Sequence, residues 1–259
     1  MGIVFTFARN VTQKSVIMKK LFIYTWTLVI CLLSVACQTT KILTANFEGD
    51  VIDAPPAKDL PGDPVGDFIE YNEALDPLLK VKSSTLSGTK ALDFENLTLG
   101  STPASQRWIS FKGKGTNLAQ PLWMWHTGEF SSVPGEILIE LTDGYGVSMT
   151  RMRISTNGEV SLPRNTDEYS SGEFTDILGD IETGPHTIIF TVSPSTLRYN
   201  VSIFRSPGSP ITAENRPMMT DNALNFHNPA YPTLAIRHKT YGLNNVYTIG
   251  SVTISRKKP

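Results

Sequence analysis

Two tryptophans and three arginines on predicted strands are the residues most suited to chemistry in this 259-residue chain. Trp123 and Trp125 lie two residues apart, so in a strand both side chains point to one face. Arg151 and Arg153 repeat that spacing, and Arg237 lies on a later strand. Aromatic rings stack on the C–H faces of sugars, and arginines donate to hydroxyl and carboxylate oxygens. These five residues are the predicted ligand contacts, and the predicted ligand is a carbohydrate.

The tryptophan pair has a second interpretation. The interior of a sheet sandwich also takes large rings, so Trp123 and Trp125 could instead pack in the core. The sequence leaves both interpretations open, because residues two apart share one face of a strand whether that face points inward or outward.

Catalysis is the alternative to simple binding. The segment Glu136–Glu140 resembles the strand of laminarinase-type glycoside hydrolases, in which two Glu flank a central Asp, but the central residue here is Leu138. We interpret these two Glu as solvated. A lyase needs a Tyr or His base beside a cation, and Tyr199 beside Arg198 forms no recognisable motif. A polysaccharide lyase or glycoside hydrolase remains the second alternative, and we expect binding without catalysis.

Acidic side chains crowd the Pro- and Gly-rich segment 44–77. Calcium takes 6–8 oxygen ligands from flexible segments of this kind. Jelly-roll carbohydrate-binding modules resemble this arrangement, with calcium joining an early Phe-Glu strand to an Asp in the last strand, where this chain has Gly250 and Ser251. Either Glu48 and Asp50 hold a structural calcium ion, or the acidic segment is solvated. No other cofactor is expected.

From Leu78 onward, short runs of β-branched and aromatic residues are separated by turn residues, which predicts an antiparallel sandwich or barrel. The predicted strands are Leu78–Ser83, Ala91–Glu95, Trp108–Lys112, Pro121–Thr127, Glu136–Thr142, Val147–Ser155, Glu159–Leu162, His186–Val192, Leu197–Phe204, Thr233–Lys239 and Val246–Ser255. A further short strand is predicted at Thr44–Glu48. Residues 163–184 and 205–232 are predicted to be long surface loops.

The order of these segments resembles a known family. It is carried by Asn46-Phe47-Glu48, Lys90–Phe94, the hairpin Glu136–Leu162, the pair HTIIFTV and TLRYNVSI, and the closing strand YTIGSVTI. Over residues 44–256 this order resembles concanavalin A-like domains of lectins, laminin-G-type modules and bacterial surface lipoproteins. The resemblance implies an all-β fold, an antiparallel two-sheet β-sandwich of the jelly-roll type, in one domain over 44–259.

The N-terminal segment predicts secretion. Met18-Lys19-Lys20 precedes the apolar run Leu21–Ala36, which ends at a small residue before Cys37. This ending resembles a bacterial lipobox, except at Ser34, and implies lipidation of Cys37. We expect residues 1–36 to be a signal peptide whose true start is Met18; a start at Met1 and an uncleaved anchor are the alternatives. Residues 37–43 then form the lipidated Cys and a tether.

Composition limits the partners. The net charge of −1 gives no case for nucleic acid or for a polybasic membrane patch. Cys31 and Cys37 are the two cysteines, so the domain after Cys37 has neither a disulfide nor a Cys-ligated zinc. We expect a lipoprotein of the bacterial cell envelope. The residue after Cys37 is Gln38, not the Asp of inner-membrane retention, which favours the outer membrane.

Within that envelope, the predicted function is non-catalytic binding of a glycan on the concave sheet or its rim loops. The alternative is a structural or adhesion lipoprotein that binds an envelope protein through residues 163–184 and 205–232.

Overall fold

The chain folds into antiparallel β-strands with very little helix. A computed structural model describes residues 41–58, 68–97, 107–132, 135–219, 229–239 and 244–258. The predicted signal peptide and Cys37 lie outside these ranges. None of the helices in the described ranges is long and apolar enough to cross a membrane.

Strands are numbered β1 to β15 in chain order. The first eight are β1 (Lys41–Ala45), β2 (Phe68–Tyr71), β3 (Leu79–Ser83), β4 (Lys90–Glu95), β5 (Trp108–Lys112), β6 (Leu122–Phe130), β7 (Ile137–Thr142) and β8 (Ser148–Ile154). The others are β9 (Glu159–Leu162), β10 (Asp176–Asp180), β11 (Gly184–Ser193), β12 (Arg198–Arg205), β13 (Ile211–Pro217), β14 (Thr233–His238) and β15 (Val246–Ser255). One α-helix, α1 (Thr166–Ser171), and 3-10 turns at Glu73–Leu78 and Pro194–Thr196 complete the described elements.

The strands form two sheets. Sheet I has the order β13-β12-β11-β6-β15-β4-β3, with β1 paired to β15, and sheet II has the order β10-β9-β8-β7-β14-β5-β2. Neighbours in space are often distant in sequence, as where β14 lies between β5 and β7. This is the predicted all-β, two-sheet antiparallel sandwich.

The core lies between the sheets and is formed within residues 42–254. Burial alternates strictly along β6: the even-numbered residues from Leu122 to Phe130 are buried, and the odd-numbered residues between them are half-buried. Period-two alternation with one apolar face is what a strand covering a core requires. A protein beginning at Gln38 therefore contains every core residue that the structure describes.

The strands predicted from Leu78 onward are present, with small shifts at their ends, whereas the strand predicted at Thr44–Glu48 is replaced by β1 (Lys41–Ala45), which ends before Asn46. Three hairpins join neighbouring strands: Asp143-Gly144 connects β7 to β8, Asn157-Gly158 connects β8 to β9, and 193–196 connects β11 to β12. Their turn residues supply the backbone angles that tight connections need, and Gly144 and Gly158 both have φ of +85°.

Two further predictions are corrected. Residues 163–184 and 205–232 are not long loops throughout, because they contain α1 and the strands β10 and β13. These two strands form the edges of the two sheets at one side. An ion pair between Arg216 and Asp176 joins those edges. Residues 41–43 also do not belong to the predicted tether, because β1 begins at Lys41 and buries Ile42 and Leu43.

Candidate functional site

The five predicted ligand contacts lie on two opposite surfaces of the sandwich. Trp123 and Trp125 are on β6, on the outer face of sheet I. Arg151, Arg153 and Arg237 are on the outer face of sheet II, because the residues that alternate with them point into the core. The structure therefore brings the arginines together and separates them from the tryptophan pair.

The arginines share their face with a tryptophan and a glutamate. Arg237 lies directly opposite Trp108 of β5 and Leu138 of β7, and Leu138 lies opposite Arg153 of β8. Strands are about 4.8 Å apart, so Trp108 and Arg153 are separated by about 14 Å across the sheet. We call Trp108, Glu140, Arg151, Arg153 and Arg237 the arginine face.

Hydrogen bonds, an ion pair and a ring contact hold Arg151 and Arg153 in place. Arg151 Nη2 donates to Glu140 Oε1 at 2.9 Å, and Ser148 Oγ donates to the same oxygen at 2.7 Å. Arg153 lies 5.1 Å from the ring centroid of Phe174 and 4.0 Å from a carboxylate oxygen of Glu159. Guanidinium groups held this way need little ordering when a ligand binds.

Small side chains form the floor between them. Ser110, Ser148 and Ser161 point away from the core yet are 4%, 4% and 0% exposed. Ala235 occupies the position between Ser110 and Glu140 in the same row. The longer side chains of the arginine face therefore cover a floor of small side chains, and Ser148 in that floor helps to hold Glu140.

A second aromatic group lies at one end of the arginine face. Lys112 Nζ is 5.2 Å from the ring centroid of Tyr231, and Tyr231 packs against Tyr145 with centroids 5.7 Å apart. Sequence patterns missed this group because both tyrosines lie in connections between strands. The two tyrosines lie close together because β14 pairs with β7, and no local sequence pattern predicts that pairing.

The carboxylates do not form a hydrolytic pair. Glu136 and Glu140 are four residues apart along one strand direction, which corresponds to about 14 Å. Glycosidase pairs are separated by about 5–5.5 Å in retaining enzymes and about 6.5–9.5 Å in inverting ones. Glu140 is moreover ion-paired to Arg151. The geometry therefore does not support hydrolysis by these two residues.

The parts considered for a lyase are also separated. Tyr199 points into the core, where burial raises the pKa of its hydroxyl, while Arg198 is exposed. His126, His186 and His238 are buried, and burial lowers their pKa values to about 3, 4 and 4 respectively. None of these residues lies on the arginine face; His227 falls outside the described ranges.

The residues predicted to bind calcium have other partners. Glu48 accepts a hydrogen bond from the Thr89 amide at 2.7 Å, and Asp50 accepts one from the Ala57 amide at 2.7 Å. Lys90 Nζ donates to the backbone carbonyls of Glu48 and Asp50 at 2.9 and 2.6 Å. An ammonium group thus occupies the place of a cation, so this donor set does not fit calcium.

In the described part of the chain, no three His, Cys, Asp or Glu side chains are grouped so that they could hold a metal.

The tryptophan pair is not in the core. Trp123 lies opposite Thr191 and Ser255, and Trp125 lies opposite Ile189 and Thr253. Both rings are half-buried among neighbours on the outer face of sheet I. The interpretation in which they pack inside the sandwich is therefore wrong.

Comparison with known proteins identifies the fold. No protein-family model and no curated protein matches the chain. An alginate lyase from Aplysia kurodai matches with a TM-score of 0.54 and 13% identity, over 84% of this chain and 99% of that one. A protein of unknown function from Shewanella oneidensis matches with a TM-score of 0.50 and 14% identity, over 88% and 95%. Lectin I-B4 from Griffonia simplicifolia has a TM-score of 0.46 and 7% identity, over 82% and 98%.

The fold of this chain is a concanavalin A-like jelly roll. At such identities the similarity establishes the fold, and function has to be argued from the site.

Proposed function

We propose that this chain is a lipid-anchored protein of the bacterial cell envelope that binds a carbohydrate on the arginine face without transforming it. The observation that carries the proposal is the row formed by Trp108, Arg237 and Arg153 across adjacent strands. One flat ring and two guanidinium groups face the same side of one sheet, within about 14 Å.

The chemistry of this row suits a sugar chain. The Trp108 ring offers a face for stacking, and the guanidinium groups donate to hydroxyl or carboxylate oxygens. Within the described residues, no carboxylate lies within ion-pair distance of Arg237, whereas Arg151 is held by Glu140. We assign Arg237 as the principal ligand contact, with Arg153 and Trp108 beside it and Arg151 in a positioning role.

The alternative of a protein partner has less support. Its predicted binding loops contain the edge strands β10 and β13. The envelope location and the anchor at Cys37 rest on the signal sequence, and we propose the outer membrane on the evidence of Gln38.

A glycan array tests the proposal. The soluble protein from Gln38 to Pro259 is screened against acidic and neutral polysaccharides, and the best ligand is titrated against Arg237→Gln. Loss of a charge-assisted hydrogen bond costs about 1.5–3 kcal/mol, so the affinity should fall by about ten- to a hundredfold.

Arg198→Gln is the matched control, because Arg198 is an exposed arginine on the outer face of sheet I. It should bind like the unmodified protein. Absence of any ligand on the array, or equal losses in the two variants, would contradict carbohydrate binding on the arginine face.

A further inference from the structure

Basic residues collect at one end of the sandwich, apart from the arginine face. They come from three separate parts of the sequence. We call them the basic end: Lys41, Lys114, Arg256, Lys257 and Lys258.

Strand pairing brings these residues together. Lys41 is the first residue of β1 and lies opposite Ser255, the last residue of β15. Arg256, Lys257 and Lys258 follow that strand directly. The Lys114 amide donates to the Ile42 carbonyl at 3.2 Å, which places Lys114 next to the start of β1.

The side chain of Arg256 holds the segment after β15 against the body of the domain. Its Nη1 donates to the Gln120 carbonyl at 2.8 Å, and its Nη2 donates to Thr116 and Asn117. Lys41, Lys257 and Lys258 are exposed. The charges are therefore presented from an ordered part of the fold.

Described acidic groups at this end lie mainly at the edge formed by β10: Asp167, Glu168 and Glu173 are in the connection from β9 to β10, and Asp176 opens β10 and is paired with Arg216. The connections 113–121 and 193–198 contain neither Asp nor Glu. Asp143 is present but buried, and it accepts hydrogen bonds from the amides of Tyr145 and Val147 at 2.8 and 3.0 Å. The charge of the whole chain, −1, predicted no basic membrane patch; strand pairing nevertheless groups the five residues of the basic end beside the start of β1.

Acidic side chains lie at the opposite end. Glu129 is near the finish of β6, Glu136 precedes β7, and Asp180 closes β10. That end also carries Arg205, which closes β12, and Lys239, which follows β14.

The chain enters the domain at the basic end. Lys41 is four residues from Cys37, and four extended residues reach about 14 Å at most. A lipid on Cys37 would therefore hold this end, and not the opposite one, beside the bilayer. Trp123 lies opposite Ser255 on the same end of sheet I, and tryptophan is enriched where protein meets the membrane–water interface.

We propose that the basic end docks on the surface of an anionic phospholipid bilayer. The inference rests on the proposed lipid anchor and is independent of carbohydrate binding. Lysines near a membrane surface gain energy from anionic headgroups, and the effect is lost beyond a Debye length. Docking would set the strands upright on the membrane and leave the arginine face open to the side.

Vesicle flotation with the unacylated protein from Gln38 to Pro259 separates docking from anchoring. The protein should float with phosphatidylcholine vesicles that contain phosphatidylglycerol and should be released at about 0.5 M salt. The triple variant Lys41→Gln, Lys257→Gln, Lys258→Gln should lose partitioning by on the order of a hundredfold.

A second triple variant is the matched control. Lys58→Gln, Lys80→Gln and Lys239→Gln removes the same charge from outside the basic end, and it should float like the unmodified protein. Equal flotation with and without phosphatidylglycerol, or equal losses in the two triple variants, would overturn membrane docking. Glycan titration of the same proteins shows whether carbohydrate binding stands or fails separately.

Discussion

Arg237 and His238 are chain neighbours with opposite environments. Arg237 faces out beside Trp108, whereas His238 is 1% exposed and its Nε2 donates to the Phe94 carbonyl at 3.1 Å. Two other histidines are buried on sheet I, where the Tyr247 hydroxyl lies 2.7 Å from His126 Nε2 and 3.0 Å from His186 Nε2. The histidines therefore belong to the core, and this makes stability sensitive to pH.

Acid should destabilise the domain at pH values well above those at which carboxylates titrate. Burial lowers the pKa of His186 and His238 to about 4 and that of His126 to about 3, while an unfolded histidine titrates near 6.5. The unfolded chain binds these protons first, so the stability present above pH 6.5 is lost as pH falls toward 4. At pH 5 the loss is about 2 kcal/mol per histidine.

Urea unfolding at pH 7 and pH 5 measures this loss. Asp93 acts in the opposite direction, because burial raises the pKa of its carboxyl and folding then favours its protonated form in acid. His126→Phe should weaken the dependence on pH. A free energy of unfolding that stays constant from pH 7 to pH 5 would show that the histidines are not buried in neutral form.

Strand β6 illustrates what the sequence can and cannot predict about an element. The aromatic and β-branched residues of the segment LWMWHTGEF predict a strand. Large apolar residues, however, lie on both faces of that strand near its start. From the sequence, either Leu122 and Met124 or Trp123 and Trp125 could form the inner face, because both pairs are large and apolar. Periodicity alone cannot assign the inner face of such a strand, because a shift of one residue exchanges the two faces.

Truncation of neighbouring residues on β6 tests the assignment. Met124 is 0% exposed, so Met124→Ala should cost about 2–5 kcal/mol of stability. Trp123→Ala removes a half-buried ring from the outer face and should cost about 1 kcal/mol.

Urea unfolding of both variants gives the comparison. If Trp123→Ala were the more destabilising change, the outward placement of the tryptophan pair would be wrong.

The edge strands β10 and β13 were not predicted from the sequence, and the reason is a different one. Both β10 (DILGD) and β13 (ITAENRP) are short and carry charges, and β13 ends in a proline. Edge strands avoid continuous apolar patterns, which discourages pairing with other chains. The charges and the proline that discourage an edge strand from pairing with other chains thus also interrupt the apolar pattern from which a strand is predicted.

At the scale of the whole molecule, the candidate site depends on non-local pairing. The same-face position of Arg151 and Arg153 follows from their spacing of two. Arg237 joins them because β14 inserts between β5 and β7, and the basic end forms because β1 pairs with β15. These pairings link distant parts of the sequence, so the sequence predicted the residues but not which of them would meet.

The arrangement of tryptophans allows the central claim to be tested with one spectrum. Of the four tryptophans, Trp26 lies in the predicted signal peptide, so the soluble protein retains three. Trp108 lies on the arginine face, and Trp123 and Trp125 lie on the opposite outer face. Each indole N–H gives its own peak in a ¹H–¹⁵N correlation spectrum, assigned through Trp→Phe variants.

Titration with the glycan selected on the array should shift the Trp108 indole peak and leave the Trp123 and Trp125 peaks unchanged. Shifts confined to Trp123 and Trp125 would contradict carbohydrate binding on the arginine face and would place the ligand on sheet I.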